Sequence, residues 1–249
     1  MPIPSTIPSH LAPLCTAFTN GLLDLLGGKL HGFYLYGAAM FPESEATGDV
    51  DAHAILTEPL TGEEKAGIDL LYADLGRRFP PLGADLDVYF LLLEEAKQAG
   101  TPTHQLDPSI VDSSWALHRA HMLAGRCAVL HGPQPSDIFP KPTWEEIEQA
   151  LAGELDYVIR HTSQYPDYCI LNLCRLMYSY QTRDVVVSKF GSATWASSEY
   201  PQWAELIALA RKSYVQGVTD EERAIMLSEV ESLLAFAQAK ISEFGGHST

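Results

Sequence analysis

Two aspartates one residue apart, Asp49 and Asp51, stand at the entry of a strand that ends in Ala54-Ile55-Leu56. Side chains at i and i+2 of a strand share a face, so these carboxylates sit a few ångströms apart over apolar sequence. Such a pair repels itself unless a cation lies between. Upstream, Tyr34-Leu35-Tyr36 runs into Gly37-Ala38, a glycine turn whose backbone N–H groups can approach a phosphate with no Cβ in the way. Downstream, Asp85 and Asp87 share a face in "ADLDVYFLLL", and Asp87, directly before Val88-Tyr89-Phe90, is the better placed of the two. A glycine turn, D-x-D on one strand and an acid on another form the arrangement that metal-assisted phosphoryl chemistry needs. Mg²⁺ takes hard oxygen ligands, commonly one or two carboxylates completed by phosphate oxygens and water. A third carboxylate can hold a second metal or accept the proton of an attacking hydroxyl.

The elements that must position these groups can be read from pattern. Pro8-Ser9 precedes apolar residues at helical spacing (Leu11, Leu14, Cys15, Phe18, Leu22, Leu25, Leu26), and Gly27-Gly28 ends that helix. Strands are expected at 32–36, 50–56 and 84–93, with a helix between the last two opened by the capping box Thr61/Glu64 and closed before Phe79-Pro80-Pro81. From about Ser113 the pattern turns to long amphipathic runs. Further capping boxes at Thr143/Glu146 and Thr219/Glu222 open two of the helices, and Ile225, Met226, Val230, Leu233, Leu234, Ala237 and Ile241 form the stripe of the last one. The expected class is α+β, a sheet with flanking helices followed by an all-helical bundle. The proline-rich stretch 132–142 suggests domains 1–140 and 141–249.

Composition narrows the partners. With 16 basic and 32 acidic residues, the net charge of −16 repels nucleic-acid phosphates and favours a cationic small molecule. No stretch approaches the roughly 18 apolar residues of a membrane span and no basic-then-apolar leader opens the chain, so a cytoplasmic protein with no membrane partner is expected. Cys15, Cys127, Cys169 and Cys174 are scattered and read as reduced thiols. His53, on the face of the two aspartates, reads as a strand-end histidine rather than an extra ligand, and His118 and His121, at i and i+3, as helix-surface groups rather than a metal pair.

The spacing of Gly37-Ala38, ten residues, then Asp49-Val50-Asp51 resembles the nucleotidyltransferase signature in the form found in streptomycin/spectinomycin-type aminoglycoside O-adenylyltransferases. The likeness continues in "LNLCRLMYSYQT" and "VVVSKFGSATWA", which are similar to the family's C-terminal helical signature, and in "HGP" at His131 and "LIALARKSYVQG" from Leu206. The resemblance implies an N-terminal nucleotidyltransferase-type mixed sheet joined to a C-terminal helical domain. It implies transfer of AMP from Mg²⁺-ATP to a hydroxyl of a small, cationic, aminoglycoside-type acceptor. By position, Asp49 and Asp51 would be metal ligands, Asp87 a further ligand and the catalytic carboxylate, and Gly37 and Ala38 the phosphate turn. Arg175, and Lys189 in a loop between helices, would reach the ATP phosphates. Three positions depart from the family pattern: Ala38 and Gly48 stand where serines are expected, and Asp87 is one methylene shorter than the usual glutamate. Ala38 therefore opens an alternative, a catalytically impaired relative that binds or regulates. The family's acidic residues just before the arginine helix have only Asp167 as an approximate counterpart here.

Overall fold

The computed structural model describes residues 7–42 and 50–245, so Gly48 and Asp49 lie outside the described residues. Contacts group the chain into two compact units, one extending to Ile147 and the other beginning at Glu148. In the first unit, α1 (Ala12–Leu26) buries Leu14, Cys15, Phe18, Leu22 and Leu26 along one stripe and stops at Gly27. Next comes β1 (Leu30–Leu35), a little earlier than the pattern suggested, and then β2 (Val50–Leu56), where it was expected. Helix α2 (Gly62–Arg78) starts on the Thr61/Glu64 box: the Glu64 N–H donates to Thr61 Oγ1 at 3.2 Å, and the Thr61 N–H to Glu64 Oε2 at 2.6 Å. Strand β3 (Leu86–Leu92) follows, then the single turn α3 (Leu93–Ala96), α4 (Trp115–Leu123) and the short β4 (Ala128–His131).

The strand order is β3-β2-β1-β4. Strand β1 runs antiparallel to β2 and β4, whereas β2 and β3 are parallel, with α2 supplying the crossover that parallel neighbours require. Two cores follow from the alternation of side chains. One face buries Phe33, Leu35, Ala52, Ala54, Val88 and Phe90 against α1 and α2. The opposite face buries Tyr34, Tyr36, Ile55 and Leu91 with Trp115 and Met122 of α4 and with Phe139. Asp51, His53 and Ile55 belong to this second face.

Helix α5 (Trp144–His161) opens on the Thr143/Glu146 box and carries the chain across the division at Ile147. Beyond it the second unit consists of α6 (Pro166–Thr182), α7 (Lys189–Glu199), α8 (Ala204–Gln216) and α9 (Asp220–Gly245). Helix α6 is central, buried on most sides, and packs against α7, α8 and α9. Among the described residues no strand follows β4. Two local readings need correction. Lys189 is the first residue of α7, because Ser188 caps that helix by accepting the Gly191 N–H at 2.8 Å. Ile225 is 48% exposed and lies off the buried stripe of α9.

Candidate functional site

The register of β2 and β3 pairs Asp51 with Asp87, His53 with Tyr89 and Ile55 with Leu91. Two carboxylates thus stand side by side on strands that neighbour each other at about 4.8 Å. Asp87 is exposed and Asp51 half-buried, while in the next row inward His53 is buried and Tyr89 partly so. Asp85 instead precedes β3, where its carbonyl accepts the Val50 N–H at 2.8 Å and its side chain is exposed.

The glycine turn is built against Asp51. Tyr36, the last residue before the turn, donates its N–H to the Asp51 carbonyl at 3.0 Å. Gly37 then takes φ +73°, and a Cβ there would lie 1.8 Å from Asp51 Oδ2. Only glycine fits, on both backbone and steric grounds. Residues 37–40 continue as a short 3₁₀ turn in which Ala38 is exposed.

Beneath the carboxylates the Tyr36 phenol is buried. Burial, with the charges of Asp51, Asp112 and Asp87, holds its pKa well above the ordinary tyrosine value, so it remains a hydrogen-bond donor. The donor set fits a hard divalent cation: Asp51 and Asp87 lie in register, at a turn whose open cradle a Cβ would fill.

The histidine readings are overturned. His53 is fully buried, and its Nε2 lies 3.0 Å from Oδ2 of Asp112, itself 1% exposed. The same oxygen lies 2.9 Å from Nδ1 of His118, and the Tyr36 hydroxyl lies 3.4 Å from that nitrogen. Burial lowers the His53 pKa against the opposing pull of Asp112. Burial raises the Asp112 carboxyl, but His118 and His53 outweigh it and hold the group below the ordinary carboxylate value. His121 is buried too, edge-on to Phe41. No sequence periodicity pointed to Asp112, which lies in an irregular segment held by its N–H to the Pro102 carbonyl at 3.0 Å.

In the second unit, Arg175 on α6 is 3.6 Å from Glu154. Lys189 donates to the Tyr214 hydroxyl at 3.0 Å and lies over the rings of Tyr168 and Tyr214, 4.5 and 4.9 Å from their centroids. Asp167 accepts from Ser213 at 2.7 Å. The four cysteines are free thiols, and burial pushes Cys15 up to about 11 and Cys169 and Cys174 to about 12. Among the described residues no helix is long and apolar enough to cross a membrane.

Residues 137–240 match the family described as aminoglycoside adenylyltransferase, C-terminal domain. The whole fold resembles the crystal structure of the spectinomycin adenyltransferase AAD(9) from Enterococcus faecialis with ATP and spectinomycin. The likeness has TM-score 0.71 and 15% identity, over 90% of this chain and 98% of that one. An α+β fold with a helical C-terminal part, shared with that structure, is thereby shown. No curated protein matches the chain in sequence.

Proposed function

We propose that this chain, which carries the C-terminal domain of the aminoglycoside adenylyltransferase family, transfers AMP from ATP to a hydroxyl of a small cationic acceptor. The observation that carries this reading is the in-register pair Asp51 and Asp87, set against a turn that only Gly37 can make. Asp49, Asp51 and Asp87 would hold Mg²⁺, which, when bound, neutralises charge on the phosphates. In the reaction the acceptor oxygen bonds to the α-phosphorus, the bond to the pyrophosphate oxygen breaks, and Asp87 takes the hydroxyl proton. Its exposure on β3 suits a group that must meet the acceptor. The N–H groups of Gly37 and Ala38 serve the triphosphate, and we assign Arg175 and Lys189 to it as cations. An acidic chain draws a cationic acceptor and repels nucleic acid.

Ala38 supports a second reading, a relative that binds nucleotide and acceptor with little turnover. Full-length protein is incubated with ATP, Mg²⁺ and spectinomycin or streptomycin, with mass spectrometry of the antibiotic and a pyrophosphate assay. Adenylylated product that vanishes in Asp51→Asn supports the enzyme. Calorimetric ATP binding without product in any acceptor screen supports the second reading. Absence of both product and ATP binding overturns the proposal.

A further inference from the structure

His53, Asp112 and His118 bring two imidazoles and a carboxylate to one point, with ligand atoms all within 4.8 Å of one another. We propose that these three residues form a second metal site, distinct from the carboxylate pair and selective for a borderline transition dication of the Zn²⁺ or Co²⁺ type.

The three donors come from separate parts of the first unit. His53 is on β2, Asp112 lies in the segment ahead of α4, and His118 is one helical turn into α4. Each is fixed by its own surroundings. The His53 ring is wedged among Tyr36, Tyr89 and Trp115, at centroid separations of 4.5, 5.8 and 5.3 Å. Trp115 is held edge-on to Phe139 at 5.2 Å. His118 packs on Tyr36 at 4.7 Å. The donors converge because the core places them there, and a rigid shell of this kind favours ligation over adventitious contact.

Chemistry selects the ion. Mg²⁺ and Ca²⁺ take oxygen ligands, whereas imidazole nitrogen suits Zn²⁺, Co²⁺ and Ni²⁺. Two histidines and one carboxylate, with a further coordination position left for water, is a common zinc donor set. A dication would also supply countercharge to the Asp112 carboxylate, which is buried between the two rings. His118 is the one donor that reaches the surface, with its side chain 21% exposed, and gives the ion a way in. His53 follows Asp51 by two residues on the same strand face, so the two sites are about 6.6 Å apart along β2. An ion here would tie β2 to α4 directly behind the carboxylates.

The test uses chelator-treated full-length protein titrated with Co²⁺ in excess Mg²⁺, following visible d–d absorption and, in parallel, Zn²⁺ by calorimetry and thermal melting. The expected result is one equivalent per chain, a rise in Tm with Zn²⁺, and at least about a hundredfold weaker binding in Asp112→Asn and His118→Ala. Asp51→Asn keeps the band. His118→Ala, at the partly exposed edge, keeps the test decisive if a His53 variant fails to fold. The proposal is overturned if the wild-type protein shows no d–d band, if the band survives His118→Ala and Asp112→Asn, or if it is lost only in Asp51→Asn. None of these readouts depends on catalysis, so they stand apart from the test of the transferase reading.

Discussion

Gly37→Ala is the sharpest probe of the turn. Two costs add at this position. The first is conformational: φ +73° lies in the left-handed region, where an L-residue pays roughly 1–2 kcal/mol. The second is steric, because a Cβ 1.8 Å from Asp51 Oδ2 must retreat to the 3.4 Å at which contact becomes ordinary, so about 1.6 Å must be found. The turn and the Asp51 carboxylate are the parts that can give, and both belong to the proposed site. A displacement of about 1 Å among reacting groups costs on the order of 10²-fold in rate. The conformational cost alone lowers Tm by about 2–4 °C per kcal/mol in a chain of this size. Gly217→Ala is the control, since φ +79°, ψ 172° at the end of α8 is also backbone that favours glycine, and nothing lies within 4 Å of an added Cβ. It carries a backbone cost at least as large without the steric one. Adenylyl transfer, measured as pyrophosphate release at saturating ATP, is expected to fall about a hundredfold in Gly37→Ala and stay near wild type in Gly217→Ala, although both variants lose Tm. Turnover of Gly37→Ala within about threefold of wild type would refute the claim that the turn holds Asp51 in its working position.

Ala38→Ser restores a hydroxyl on the exposed turn, and one added hydrogen bond of about 1 kcal/mol predicts a roughly fivefold lower ATP KM, read in steady-state kinetics. Asp87→Ala removes the proposed proton acceptor and is expected to lower kcat by about 10²–10⁴-fold while ATP binding, by calorimetry, weakens much less. Glu146→Gln tests the link between α4 and α5 within the first unit. Burial pushes the Glu146 carboxyl up, but the Thr143 N–H and the guanidinium of the fully buried Arg119 outweigh it and hold the pKa below the ordinary glutamate value. A depressed carboxylate contributes stability above its unfolded pKa of about 4.3 and loses it as pH falls through the folded value. Glu146→Gln is therefore expected to cost about 1–2 kcal/mol at pH 7, a figure kept low because the carboxylate is part-exposed, and the deficit should shrink below about pH 4 in urea titrations. A deficit independent of pH would remove the charge from the explanation.

What could be read from the sequence was local, and what was missed depends on the fold as a whole. Three capping boxes set the starts of α2, α5 and α9, because Thr61, Thr143 and Thr219 each exchange hydrogen bonds with a glutamate three residues on. Ser188 makes half of that exchange, with Gly191 at the place of the glutamate, so the sequence carries no capping box at the start of α7 and Lys189 looks like a loop residue. Alternation put His53 on the face of Asp51, and that assignment stands. Its burial could not follow from alternation, since β2 is an inner strand with helices covering both faces, and periodicity marks a polar face only where one side meets water.

Asp112 marks where local reading stops. Its neighbours Ser113 and Ser114 suggest a helix start, and an aspartate ahead of a helix is ordinarily a cap. The structure gives its side chain to His53, fifty-nine residues away, and to His118. A carboxylate buried in this manner is accounted for by the two imidazoles it bonds, and no spacing rule couples β2 to the segment before α4. The same nonlocal step places Asp87 beside Asp51, because the parallel register is set by a crossover through α2 that only the packed sheet fixes. The D-x-D pattern is visible in the sequence, whereas Asp87 and Gly37 are brought to Asp51 by topology, and it is there that substitutions such as Gly37→Ala test the proposed site.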